Sequence, residues 1–139
     1  MIYLEHLNLV VKDIPSALTF YQAAFPHWSV RSKGKQVWYG KPREWLHFGD
    51  HYQYITFNNG GEDQNRNLTG HQVGLSHFAF VTNNLEQMIT RLAEAGFPVA
   101  KQGAKDQYRE NVYFLDPDGF EVEFVQYLSD IPLERNLDS

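Results

Sequence analysis

HLNLVVKDIPSALTFYQAAFP, beginning at His6, and HFAFVTNNLEQMITRLAEAGFP, beginning at His77, are two versions of one pattern. Each opens on a histidine, runs through an alternating apolar strand, turns at Asp or Asn, enters an amphipathic helix and closes near a Phe and a Pro. The offset is 77 − 6 = 71 residues, about half of the 139-residue chain, so a repeat is read before anything else. The stretches beyond the two helices match too. After the first come WSVRSKG, QVWYGKPREWLHFG and HYQYITFNN, which read as strands parted by turn residues. After the second come FPVAKQG, RENVYFLD, a turn at Asp116-Pro117-Asp118-Gly119, and FEVEFVQY. Pro presets φ and Gly accepts positive φ, so Asp-Pro-Asp-Gly between two alternating runs signals a hairpin. Both halves read strand–helix–strand–strand–strand, an α+β fold of two β-α-β-β-β modules. The modules are placed at 1–59 and 72–128, the polar linker at 60–71, and a tail or short helix at 129–139.

The helices carry the packing signal. Ile14, Leu18, Tyr21 and Phe25 recur at helical spacing, and Leu85, Met88, Ile89 and Leu92 do the same. Asp13 and Asn84 are the expected N-caps and Gly96 the residue just past the second helix. With an apolar face on each helix, the strands sort by parity. Leu7, Leu9 and Val11 share one face of the first strand and His6, Asn8 and Val10 the other. Phe78 and Phe80 oppose His77, Ala79 and Val81, and Phe120, Val122 and Phe124 oppose Glu121, Glu123, Val125 and Tyr127. The apolar sets must pack on the helices, so His6, His77 and Glu123 fall on the helix-free face. Two imidazoles and a carboxylate suit Fe(II), Mn(II), Co(II), Ni(II) or Zn(II), and they leave coordination positions open to substrate.

Composition narrows the partners. A net charge of −5 without any basic run excludes an electrostatic footprint for nucleic acid or an anionic membrane. No cysteine means no disulfide, zinc–thiolate site or thiol nucleophile. Hydrophobic residues make up 42% of the chain, enough for a globular core rather than disorder. No apolar run reaches the roughly 20 residues of a membrane helix. The first residues lack the basic and continuous apolar regions of a signal peptide, so a cytoplasmic location is expected.

Paired β-α-β-β-β modules, a leading histidine in each, and DPDG followed four residues later by Glu resemble the vicinal oxygen chelate superfamily over residues 1 to about 128. That superfamily includes glyoxalase I, extradiol dioxygenases, methylmalonyl-CoA epimerase, fosfomycin-resistance thiol transferases and bleomycin-binding proteins. The resemblance implies curved mixed sheets wrapping a cup, one divalent metal ion per site (Fe(II), Mn(II), Ni(II) or Zn(II)), and His6, His77 and Glu123 as its ligands. It also implies a small-molecule substrate, oxygen-rich or aromatic, and a homodimer. In a swapped arrangement His6 comes from one chain and His77 with Glu123 from the other.

The departures separate the activities. Glyoxalase I carries a carboxylate or His on the last strand of the first module, where this chain has Tyr54; a register slip of one would bring in Gln53 and an epimerase-like pattern. Glutathione-using fosfomycin enzymes carry Thr where Asn8 stands. YFLDPDGFEVE from Tyr113 to Glu123 matches the extradiol dioxygenase motif, but GAKDQYREN before it lacks that motif's histidine. The three-ligand set leans towards dioxygenase or thiol-transferase chemistry. The alternatives are a glyoxalase I or epimerase-like lyase or isomerase, and a non-catalytic drug-sequestering protein of the bleomycin-resistance type.

Tyr113 is the candidate catalytic residue, by family analogy a hydrogen-bond partner of a substrate oxygen, with simple lining as the alternative. Asn8, Tyr54 and Arg109 are the candidate substrate-binding residues. Arg109 either meets an anionic substrate or neutralises Glu121, the second being favoured. His47 and His51 are read as surface groups before base or extra ligand, and His27 and His71 as solvated. Trp38, Tyr39, Trp45, Tyr52 and Tyr54 either line a pocket or fill core and interface.

Overall fold

The structure, a computed structural model, describes residues 1–138. It divides into two compact units, Met1–Gln64 and one beginning at Asn65, the boundary lying within the polar stretch between the repeats.

In the first unit, β1 (His6–Val10) leads through Asp13 into α1 (Ile14–Ala24), followed by β2 (Ser29–Trp38), β3 (Lys41–Gly49) and β4 (Tyr54–Asn58). The helix starts where expected: the Asp13 carboxylate accepts from the Ser16 amide at 2.8 Å, and Pro15 needs no donor in the first turn. The sheet order is β1-β4-β3-β2, with β1 parallel to β4 and the other pairs antiparallel. The α1 stripe differs from the expected one. Ile14, Ala17, Phe20, Tyr21 and Ala24 are the buried residues, whereas Leu18 is half-exposed. Small Ala17 and Ala24 let the helix lie close to the sheet, where Tyr21 meets Phe57 with ring centres 5.1 Å apart. Leu9, Leu46, Phe48, Ile55 and Phe57 complete this core.

The break expected after Gly34 does not occur. The strand runs through Gly34 to Trp38, and the turn is a two-residue loop at Tyr39 (φ 49°) and Gly40 (φ 81°). Positive φ at both positions matches the twist of the flanking strands. Tyr in place of the usual Asn or Asp left Gly40 as the one turn signal.

The second unit repeats the plan: β5 (Phe78–Val81), α2 (Leu85–Glu94), β6 (Lys101–Gln102), β7 (Arg109–Leu115) and β8 (Glu121–Tyr127), in the order β5-β8-β7-β6. Here β5 is parallel to β8 and the rest are antiparallel. Asn84 caps α2 by accepting from the Gln87 amide at 3.1 Å. Beyond the helix, the Phe97 amide donates to the Leu92 carbonyl and that of Gly96 to Ala93, which satisfies the carbonyls a helix end leaves open. Leu85, Met88 and Leu92 face Phe78, Val112, Phe114, Val122 and Phe124, all buried, while Ile89 is half-exposed. The Asp116–Gly119 turn forms as read: buried Asp116 accepts from the amides of Asp118 and Phe120, each at 2.9 Å, and Gly119 takes φ 82°. A short α3 (Pro132–Arg135) lays Arg135 over the Tyr127 ring at 4.1 Å. No helix among the described residues is long and apolar enough to cross a membrane.

Each unit is therefore one helix-backed mixed sheet. Leu9 is buried while His6 and Val10 are not, and Val122 and Phe124 are buried while Glu123 is half-exposed, as parity requires; Val125, expected on the Glu123 face, is buried instead. Both leading histidines and Glu123 stand on the open faces.

Candidate metal-binding faces

On the first unit the registers line up two rows. His6 lies opposite Tyr54, and Asn8 opposite Thr56, which in turn lies opposite His47. The His6 and Tyr54 rings stack with centres 4.7 Å apart and planes 8° from parallel. His6 Nδ1 is 2.9 Å from Glu5 Oε1. A carboxylate only accepts, so Nδ1 carries the proton, and in the neutral ring the lone pair is left on Nε2. An adjacent carboxylate of this kind fixes the tautomer a metal needs from histidine.

Tyr54 does not offer its oxygen. Its hydroxyl donates to the same Glu5 Oε1 at 3.3 Å, and Arg31 covers its ring at 4.3 Å. Burial, with the Glu5 charge second, raises its pKa above the ordinary phenol value, which keeps the proton on. The His6–Tyr54 register also leaves Gln53 outside the strand and exposed, so the slip that would have presented Gln53 does not occur. Tyr54→Phe is expected to leave metal affinity within about twofold, well under the 1.4 kcal/mol of a tenfold change. Calorimetric titration with Mn(II) checks this, and a tenfold loss would make Tyr54 part of the site.

Around these groups lies a concavity of about 330 Å³, floored by Asn8, Thr56 and Asn58 and walled by Gln36, Trp38, Trp45, His47 and Tyr54. Asn58, 4% exposed, donates to Asn8 Oδ1 at 2.6 Å, which leaves the Asn8 amide nitrogen for a ligand. His47 corrects the surface assignment. It is half-buried in this wall, with Nδ1 3.2 Å from Ser32 Oγ and its ring 4.6 Å from that of Tyr54. Burial first, then the Arg31 charge, lowers its pKa, so it is neutral near pH 7. Parity on β3 carried that signal, since Leu46 and Phe48 face the helix. His27, His51 and His71 are exposed, as are Tyr39 and Tyr52, whereas Trp38, Trp45 and Tyr54 do line the concavity.

On the second unit His77 stands just before β5, and Glu123 lies between Ala79 and Tyr113 in the register. His77 Nε2 is 3.9 Å from Glu123 Oε2, with the two side chains 37% and 13% exposed. Metal–ligand bonds of about 2.1 Å at a tetrahedral angle put two donor atoms about 3.4 Å apart, so the pair comes within about 0.5 Å of the span a divalent ion needs. Tyr113 packs edge-on to His77 at 5.3 Å, and Lys101 sits over the Tyr113 ring at 4.3 Å. Burial, then the Glu123 charge, raises the Tyr113 pKa and keeps its hydroxyl a donor.

Arg109 does not neutralise Glu121. It is 3.5 Å from Asp106, and Glu121 is held by Lys101 at 2.9 Å, because the short β6 strand sets Lys101 against β7 and hence near β8. Gln36, Thr56 and Asn58 of the concavity escaped the sequence reading, and so did one residue beside Glu123. Asn111 shares the Tyr113 face and donates from Nδ2 to Glu123 Oε1 at 3.1 Å. Its parity on β7, two residues before Tyr113, was the available signal.

Two of the three expected ligands, His77 and Glu123, thus meet within one unit, and His6 belongs to the other. Among the described residues no three His, Asp or Glu side chains gather as a metal-holding group.

Paired helix-backed mixed sheets with histidine and carboxylate on their open faces define an α+β protein of repeated β-α-β-β-β modules. Residues 3–124 match the family model of the Glyoxalase/Bleomycin resistance protein/Dioxygenase superfamily, and the chain belongs to that superfamily. Solved structures share the fold. A glyoxalase family protein from Enterococcus faecalis is 20% identical with a TM-score of 0.71, over 88% of this chain and 96% of that one. The fosfomycin resistance protein FosX from Listeria monocytogenes is 21% identical with a TM-score of 0.71, over 97% and 99%. A point mutant of FosX, complexed with Mn(II) and 1S,2S-dihydroxypropylphosphonic acid, is 18% identical with a TM-score of 0.66, over 94% and 96%. A search of curated proteins finds no match.

Proposed function

We propose that this protein is a metal-dependent enzyme that holds a divalent ion through His6, His77 and Glu123 and acts on a small oxygen-rich or aromatic substrate. The observation that carries the proposal is the His77–Glu123 pair, 3.9 Å apart, set against a His6 whose Nδ1 is already engaged by Glu5. The ion, whether Fe(II), Mn(II), Ni(II) or Zn(II), would supply Lewis acidity and open positions for two substrate oxygens. A protein of the same fold complexed with Mn(II) and a dihydroxy phosphonate supports that substrate class. Dioxygenase or thiol-transferase-like chemistry is favoured, since Tyr54 is committed to Glu5 and leaves the fourth, glyoxalase-type ligand position empty of protein.

The remaining side chains have separable roles. Tyr113, kept protonated and hydrogen-bonded to Glu123, would turn its hydroxyl to a substrate oxygen once an ion takes up the carboxylate. Neutral His47 accepts or relays a proton at the wall of the concavity. Asn8 donates its free amide hydrogens, and Trp38 and Trp45 exclude water from an apolar substrate edge. Arg109, engaged by Asp106, is left a weaker claim on an anionic substrate. Loading with Fe(II) and adding nitric oxide tests the open positions: an iron–nitrosyl spectrum is expected, and its absence in iron-loaded protein would mean that the protein closes them.

The proposal includes a homodimer in which His6 of one chain serves the His77–Glu123 pair of its partner. β1 and β5 are edge strands, and Leu4, Val10 and Val81 are 73%, 41% and 65% exposed. Such edges and apolar rims favour covering by another chain. Sedimentation should give a dimer at micromolar concentration, and a monomer there would remove the shared site.

A further inference from the structure

Glu123 has two oxygens with different neighbours. Oε2 faces His77 Nε2 at 3.9 Å, while Oε1 takes the Asn111 amide at 3.1 Å. Turning the Asn111 amide over would set oxygen against oxygen, so the donor side is fixed by the carboxylate. That orientation leaves Asn111 Oδ1 buried without a hydrogen-bond partner among the described residues. A buried acceptor left unpaired is costly, and nothing else in β7 requires Asn there: its neighbours in register and on the same face, Val125 and Tyr113, would pack as well on an apolar side chain. The polar group is kept for what its nitrogen does.

Its position is set from the other side by Gly103. The Gly103 amide donates to the Asn111 carbonyl at 3.0 Å, and a Cβ at 103 would run into the Asn111 side-chain oxygen and carbon. This is a backbone approach that only glycine permits at that spot. Asn111 Nδ2 also lies 3.5 Å from the Tyr113 hydroxyl, so Glu123 and Tyr113 share one fixed donor.

We propose that Asn111, seated against Gly103, is the positioning residue of Glu123: it ties Oε1 and keeps Oε2 turned towards His77 for an ion shared with that imidazole. This rests on the metal-site proposal above. Partners of ligating side chains typically change metal affinity 10–100-fold when removed.

The test titrates Co(II) into full-length wild type, His77→Ala, Asn111→Leu and Gly103→Ala, following heat and visible absorption, and records the melting temperature of each without metal. Asn111→Leu should bind Co(II) about 10–100-fold more weakly and show shifted d–d bands at saturation, with melting of the metal-free protein little changed. A purely structural role would move the melting temperature and leave the saturated spectrum alone. Gly103→Ala should copy the weaker binding and the shifted bands, because it displaces the same side chain, and should also melt lower, because its Cβ meets the Asn111 backbone oxygen. Wild-type affinity and spectrum in Asn111→Leu, alongside lost binding in His77→Ala, overturn the positioning role and leave the metal site standing. Equal binding by wild type and His77→Ala, or none by wild type, overturns the metal site and this proposal with it.

Discussion

His77→Ala is expected to weaken divalent metal binding by at least about 100-fold, roughly 2.7 kcal/mol, while the chain stays folded. The two halves of that result have separate causes. The imidazole is 37% exposed and stands before β5, outside the helix-facing core of Phe78, Phe114 and Phe124. Surface substitutions of this kind stay within about 0.5 kcal/mol of wild type in stability. Removing it takes away one of the three proposed ligands, and one of the two that already face each other, which leaves His6 and Glu123 to hold the ion. Glu123→Gln should match it in affinity, since the amide keeps the shape and removes the charge. Isothermal titration with Mn(II) and a thermal melt of each variant read the two effects independently. Unaltered affinity in His77→Ala would move the metal away from this face.

The complementary expectation is that Phe124→Ala destabilises the fold by about 3–5 kcal/mol. Phe124 is 0% exposed and comes directly after Glu123 in β8, with its ring centre 5.9 Å from Phe114 and 6.2 Å from Phe80. Truncation loses the transfer energy of the ring and leaves a cavity that strands on both sides, in β5 and β7, hinder from collapsing. Domains of this size retain only about 5–15 kcal/mol of stability in all, so the variant should sit near its unfolding midpoint under mild denaturant. Any loss of metal binding in Phe124→Ala therefore reports unfolding, which is why His77 and Glu123 are the variants that bear on function. Urea unfolding followed by circular dichroism measures the difference; a loss under about 1 kcal/mol would mean the ring is not packed as the structure has it.

The repeat beginning at His6 and His77 made the architecture legible, because two matched strand–helix starts and the Asp116–Gly119 turn each have a local chemical cause. Parity then placed His6, His77 and Glu123 on open faces without any coordinates. What the sequence hid was mainly which side chains pair with which. Arg109 found Asp106 three residues away, while the partner of Glu121 came from Lys101 on a two-residue strand too short to show periodicity. His47 read as a surface group because its polar neighbours, Ser32 and Thr56, come from β2 and β4. Asn111 went unread because an Asn between Glu110 and Val112 in a strand carries no motif; only the approach of Gly103 and the carboxylate of Glu123 give it meaning. The Tyr39–Gly40 turn was missed for a local reason, a Tyr at positive φ.

A site made of His6, His77 and Glu123 stands or falls on the metal content of wild-type protein purified without a His-tag or chelator, then saturated separately with Fe(II), Mn(II), Ni(II) and Zn(II). About one tightly held divalent ion per chain is predicted, lost on His77→Ala. Protein that stays metal-free after all four would contradict the site and leave a sequestering pocket lined by Trp38, Trp45 and Tyr54 as the function of the fold.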